Sequence, residues 1–114
     1  MIYQKSKFHN KKTEVDGITF DSKHEAHRWV ELKYLERIGE IRDLKRQYPF
    51  ELIPAQYDER GKCVERSVKY IADFVYYDRD GNLVVEDAKG MKTDAYKLKK
   101  KMLRHFKGIE IKEV

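Results

Sequence analysis

The sequence predicts an α/β fold, a mixed β-sheet flanked by helices, in a single domain. Three observations predict it. A chain of 114 residues has room for one hydrophobic core but not two. The hydrophobic periodicity reads helix, several strands, helix, strand. Apolar residues make up 40%, the usual share for a globule.

The elements follow in order. Residues 1–12 are polar and basic (Lys5, Lys7, Lys11, Lys12) and read as an arm that orders only on a partner, ahead of a domain spanning 13–114. Asp16-Gly17, between β-branched Val15, Ile18 and Thr19, predicts a short hairpin over 13–20. A helix is expected over 22–38. Ser22-x-x-Glu25 has the form of a capping box, and Gly39 supplies the stop. Its inward face is read as Trp29, Leu32, Tyr34, Leu35 and Ile38, with Glu25 on the edge. Strands are expected over 41–47 and 48–53, with Pro49 marking a bend and Pro54 a stop. A loop follows over 55–62, then a long strand over 64–77. Its even positions (Val64, Val68, Tyr70, Ala72, Phe74, Tyr76) form one face, and Ile71, Asp73 and Val75 the other. A strand over 83–89 ends in charge. The last helix starts at Thr93 or Asp94, buries Ala95, Leu98, Met102 and Phe106, and stops at Gly108; a short strand closes the chain.

Composition limits the function classes. No apolar run approaches the roughly 20 residues of a membrane span, and no hydrophobic signal region opens the chain, so a cytoplasmic protein without membrane contact is expected. The lone Cys63 forms no internal disulfide, and its apolar flank suggests a buried or half-buried thiol. Net charge is +5, but residues 89–107 hold eight Lys/Arg against one acid, Asp94. Lys92, Lys97, Lys100, Lys101 and Arg104 belong to this segment, a concentration suited to phosphates and therefore to DNA. A solvated lysine-rich helix face is the plainer alternative.

The chemistry is expected around Asp73, an acid on an otherwise apolar strand. Such a carboxylate is costly to bury without a partner. The next strand ends Val85-Glu86-Asp87-Ala88-Lys89, where alternation puts Asp87 and Lys89 on one side and Glu86 on the other. A two-residue Asp80-Gly81 turn would set Asp73 against Ala88. A three-residue Arg79-Asp80-Gly81 loop, with Gly81 left-handed, sets it against Asp87, and this second register is expected. Opposed carboxylates with the Ala88 carbonyl make an oxygen-rich site for Mg²⁺ or Mn²⁺. Lys89 can orient a water or neutralise a developing oxyanion, and Glu25 can add a ligand or base. The bland alternative is an Asp73–Lys89 ion pair, a solvated Asp87 and a Glu25 that only caps its helix. His24 and His27 flank Glu25, but no third soft ligand accompanies them, so surface or DNA-contacting histidines are expected rather than zinc ligands.

Asp73…Asp87-Ala88-Lys89 resembles the PD-(D/E)xK motif of the restriction-endonuclease-like superfamily, whose core is α-β-β-β-α-β. Four stretches are similar to one branch of it, a bacteriophage family of Holliday-junction-resolvase-like recombination endonucleases. They are Gly17-x-x-Phe20-Asp21-Ser22-Lys23-x-Glu25-Ala26, Gln47-x-x-Phe50, Tyr70-Ile71-Ala72-Asp73-Phe74 and Glu86-Asp87-Ala88-Lys89-Gly90-x-x-Thr93. The resemblance spans residues 13–111. It implies a metal-dependent endonuclease cutting branched DNA as a homodimer. Asp73, Asp87 and Glu25 would be metal ligands, Lys89 the catalytic lysine, and Gln47 a residue that orients the site or touches DNA. Ala72, where the motif's name places a proline, is a departure. Two other readings stand beside it: a nuclease nicking duplex or other structured DNA, and a non-catalytic DNA-binding phage protein.

Overall fold

A computed structural model describes residues 12–88 and 92–114, so the basic arm, except Lys12, lies outside the described residues. Strands β1 (Thr13–Val15) and β2 (Ile18–Phe20) form the expected hairpin, with Thr13 opposite Phe20. Asp16 and Gly17 both have positive φ (52° and 79°), the geometry of a two-residue turn matched to strand twist. Helix α1 (Lys23–Arg37) is capped by Ser22, whose side chain accepts the Glu25 amide. It buries Glu25, Ala26, Trp29 and Leu32. Tyr34 and Ile38, expected inward, are 53% and 50% exposed. The stack of Phe20, Trp29 and Phe74 sets the helix rotation, and α1 carries a second apolar row on its far side.

Strand β3 (Arg42–Ile53) is one element, not the two expected. It is an edge strand, so Pro49, opposite Ile71, can sit where no neighbour needs its missing N–H. The irregularity lies at Gln47 instead, a non-glycine residue with φ 53°. The long strand expected over 64–77 is also divided. Residues Cys63–Glu65 (β5) pair with Gln56–Tyr57 (β4) in a separate two-stranded sheet, and only Val68–Tyr77 (β6) joins the main one. Consequently Val64 is exposed, and so is Cys63, against the expectation of a buried thiol.

The main sheet is completed by β7 (Leu83–Asp87) and β8 (Ile111–Glu113), in the order β3-β6-β7-β8. The first three strands are antiparallel; β8 runs parallel to β7 after the crossover helix α2 (Asp94–Lys107), so the sheet is mixed. Phe74 pairs with Glu86, and Tyr77 with Leu83. This is the three-residue-loop register: Gly81 is left-handed (φ 82°), and the Asp78 amide bonds the Asn82 carbonyl.

Where a single core was expected, the buried residues form two clusters, one on each face of the sheet, because helices cover both sides. Phe20, Ala26, Trp29, Leu32, Ile41, Phe74 and Tyr76 pack on the α1 side. Leu52, Tyr70, Ala72, Val75, Val85, Tyr96, Leu103 and Ile111 pack on the α2 side. The even positions of β6 therefore do not share a face: Tyr70 and Ala72 join one core, Phe74 and Tyr76 the other. The exchange falls at Asp73, level with left-handed Gln47 between the pairs Arg46–Phe74 and Tyr48–Ala72. Partly buried Leu44 and Phe50 of β3 make the same change of side.

Helix α2 is rotated from the expected stripe. Tyr96 and Leu103 are buried, whereas Leu98 and Phe106 are 58% and 55% exposed. Tyr96 takes the inward place because its ring packs near Tyr70 while its hydroxyl reaches Glu113 at 2.7 Å. Thr93 caps the start and Gly108, with φ 66°, the end.

Candidate active site

Glu25 and Asp73 are brought together at one end of the main sheet, and Asp87 lies on the neighbouring strand. Glu25 reaches that end because the Ser22 cap fixes the first turn of α1, and its side chain follows Ala26 and Trp29 inward. Gln47 Nε2 donates to Glu25 Oε2 and to Asp73 Oδ1, each at 3.3 Å, so one amide nitrogen stands between two acids. Asp73 Oδ2 also accepts the Ala88 N–H at 2.8 Å. That bond follows from the register, which, carried one residue beyond Phe74–Glu86, sets Asp73 against Asp87.

Asp87 is fully buried, and the Tyr70 hydroxyl donates to its Oδ2 at 2.5 Å. Burial first, then this bond and the charge of Asp87, raise the Tyr70 pKa well above that of a free tyrosine. Tyr70 therefore stays a neutral donor. The charge on Asp73 pushes Tyr70 and Tyr96 in the same direction, so both acids and both tyrosines share one electrostatic neighbourhood.

The donor set is all oxygen and anionic, the chemistry hard divalent cations prefer. The amide nitrogen shared by Glu25 and Asp73 marks a point where a positive group is attracted by both. Among the described residues no three His, Cys, Asp or Glu side chains are grouped closely enough to hold a metal together. The fit is thus in ligand type and in the Glu25–Asp73 pair, with Asp87 directed to Tyr70. Ala88 is buried and touches Asp73 through its amide. Lys89, the expected catalytic lysine, lies outside the described residues.

Glu86 points to the other face, as alternation requires. Arg28 grips it with two bonds, Nε to Oε1 at 2.8 Å and Nη2 to Oε2 at 2.6 Å, and the Tyr76 hydroxyl donates to the same Oε2. The bonded carboxylate raises the Arg28 pKa; burial, followed by the bond to Glu86, raises that of Tyr76. Glu86 is therefore committed to a buried ion pair, with Arg28 held in a bidentate fork.

The expected DNA-contacting cations divide into two sets. Lys92 and Lys100 reach Glu113 at 2.9 and 3.1 Å, and Arg104 reaches Glu110 at 3.3 Å. The bonds from Lys92, then Tyr96 and Lys100, hold the Glu113 carboxyl down at about 2. Lys97 and Lys101 are exposed on α2. Lys12 lies 3.5 Å from Asp21, and Lys11 is outside the described residues. His24 Nε2 bonds the Val114 carbonyl at 2.8 Å, which ties α1 to the end of β8.

Sequence reasoning missed Tyr70, Arg28, Tyr76 and Glu113. The available signal was general: a tyrosine or arginine carried into a core needs a polar partner. The partners lie 17, 58, 10 and up to 21 residues away, so nothing local in the sequence pairs them.

The family described as "Protein of unknown function (DUF1064)" matches residues 5–113. No curated protein and no solved structure matches the chain.

Proposed function

The chain belongs to the DUF1064 family, and we propose that it is a divalent-metal-dependent DNA endonuclease of the PD-(D/E)xK type. The observation that carries the reading is the pairing of Glu25 and Asp73 across the Gln47 amide, with Asp87 on the neighbouring strand and all three carboxylates at most 9% exposed. Burying carboxylates is costly, and a cation held at the Glu25–Asp73 pair would offset part of that cost. The order α1, β3, β6, β7, α2, β8 also agrees with the restriction-endonuclease-like core that the motif implies.

Asp73 and Asp87 would hold Mg²⁺ or Mn²⁺, with Glu25 and the Ala88 carbonyl as further oxygens. The bound cation would supply an acidified water and offset charge on the scissile phosphate. Tyr70 aims Asp87 by donating to one of its oxygens, while Gln47 holds Glu25 beside Asp73. Lys89, two residues beyond Asp87, would orient the water or neutralise the phosphorane oxygen. The exposed lysines of α2 would track the DNA backbone. Branched recombination intermediates are the proposed substrate, on the motif resemblance. Two symmetric cuts across a four-way junction would require two sites, hence a homodimer.

The test is cleavage of a labelled four-way junction and a matched linear duplex, with and without Mg²⁺. Metal-dependent cutting is expected, slowed at least ~100-fold in Asp87→Asn. Cutting that ignores the metal or the substitution would overturn the mechanism. Equal cutting of both DNAs would overturn only the junction preference.

A further inference from the structure

Beyond the end of β7 the main sheet has an open edge. β7 pairs with β6 from Phe74 to Tyr77, so among the described residues no strand covers the same edge of β6 over residues 68–72. The start of α2 lies beside that edge. Between the two is a cleft of about 250 Å³, lined by Lys69, Tyr70 and Ile71 of the strand and by Thr93, Tyr96 and Lys99 of the helix. The cleft adjoins the acids through Tyr70, whose hydroxyl donates to Asp87 at 2.5 Å.

Its two charged side chains are both cations, one on each wall. Lys69 is exposed and Lys99 half-buried. Among the described residues neither makes an ion pair, whereas Lys92 and Lys100 are engaged by Glu113. Glu51, opposite Lys69 on β3, and Asp94, in the first turn of α2, do not line the cleft. Two cations facing one cleft repel each other, and an anion between them turns that repulsion into attraction. Beside them Ile71 is 51% exposed. A bare inorganic anion would leave that apolar surface unused.

We propose that this cleft binds an unpaired DNA strand on its way to the acids, with a phosphodiester between Lys69 and Lys99 and the attached nucleoside against Ile71. Phosphates recur about every 3.4 Å along a strand, so a strand with one phosphate at the acids carries its neighbours past Tyr70 into the cleft. A duplex keeps its bases stacked inside, whereas an unpaired strand can turn a sugar or base face onto an apolar side chain. The proposal rests on the nuclease reading for the path of the strand. Binding in the cleft itself needs no metal and no cutting.

The test is fluorescence anisotropy of a labelled oligothymidylate of about 15 nucleotides with the full chain, in EDTA, over a range of salt. Lys69→Gln and Lys99→Gln keep most of the stem and remove the charge. Each should lower the slope of log affinity against log salt by about 0.7, and the pair together should weaken binding about tenfold at low salt. Arg79→Gln, in the β6–β7 turn at the other end of the strand, removes a charge far from the cleft and should leave the slope unchanged. Ile71→Thr should weaken binding several-fold at an unchanged slope, because it removes apolar contact and no charge. Thermal unfolding of each variant checks that the fold is intact. A wild type that does not bind at low salt, or one whose slope falls no further with the two lysine variants than with Arg79→Gln, would overturn the inference. Ile71→Thr binding as well as wild type would overturn the unpaired strand as occupant. Loss of the cleft with metal-dependent cutting retained would leave the nuclease reading standing. Binding through the cleft without any cutting in Mg²⁺ would overturn the nuclease reading and leave the cleft.

Discussion

Asp87 and Glu86 are neighbours in sequence and fully buried, yet they have unlike partners. Asp87 has a tyrosine hydroxyl and Glu86 an arginine fork with a tyrosine. A guanidinium fixes Glu86 permanently, because Arg stays charged at any relevant pH. A neutral hydroxyl brings no opposite charge to Asp87. The tyrosines make this testable by pH. Tyr70, Tyr76 and Tyr96 have folded pKa values raised above the ordinary 10, all by burial first. A raised folded pKa means stability is fully present below about pH 10, where unfolded tyrosine begins to ionise, and is lost as pH rises beyond it. Phenolate absorbance should therefore show three of the eight tyrosines titrating only as the alkaline protein unfolds. Three early, independent titrations in intact protein would contradict these hydroxyl contacts.

Among the elements, the hairpin between β6 and β7 decides whether Asp73 and Asp87 share a face of the sheet. Moving the pairing by one residue would send Asp87 to the face now occupied by Glu86. Gly81 holds the register, since its φ of 82° lies where L residues are strained. A Cβ there would meet nothing within 4 Å, so the cost of Gly81→Ala is conformational alone. About 1–2 kcal/mol of stability should be lost, measured by urea unfolding. A loss near zero would mean that the loop tolerates another shape. Helix α2 carries a second lesson. The sequence suggested an apolar stripe of Ala95, Leu98, Met102 and Phe106, but the helix is seated by Tyr96 and Leu103. Tyr96 wins because β8 provides Glu113 for its hydroxyl and the sheet provides Tyr70 for its ring.

Across the whole molecule, the basic segment is less uniform than its sequence. Strand β8 returns beside α2 and places Glu113 between Lys92 and Lys100. The cations available to a polyanion are mainly those without such a partner. If DNA is bound on this face, Lys97→Ala should lower the slope of log affinity against log salt by about 0.9. Lys100→Ala should lower it less, because Glu113 already neutralises part of that charge. Equal slopes for the two variants would refute the division.

The sequence by itself determined the class of fold, the first hairpin, both helices with their caps, and the register that opposes Asp73 to Asp87. These depend on short-range chemistry: turn residues that tolerate positive φ, capping side chains, and the period of apolar positions. The rotation of both helices, the joining of β3 and the division of the 64–77 strand were decided by the tertiary structure. So was the exchange of faces at Asp73. Each depends on which distant side chain fills a given space, and periodicity cannot rank one apolar row of α1 above another. The same holds for the acids. Sequence alternation put Asp87 and Glu86 on opposite faces, but only folding brings Tyr70 to one and Arg28 to the other.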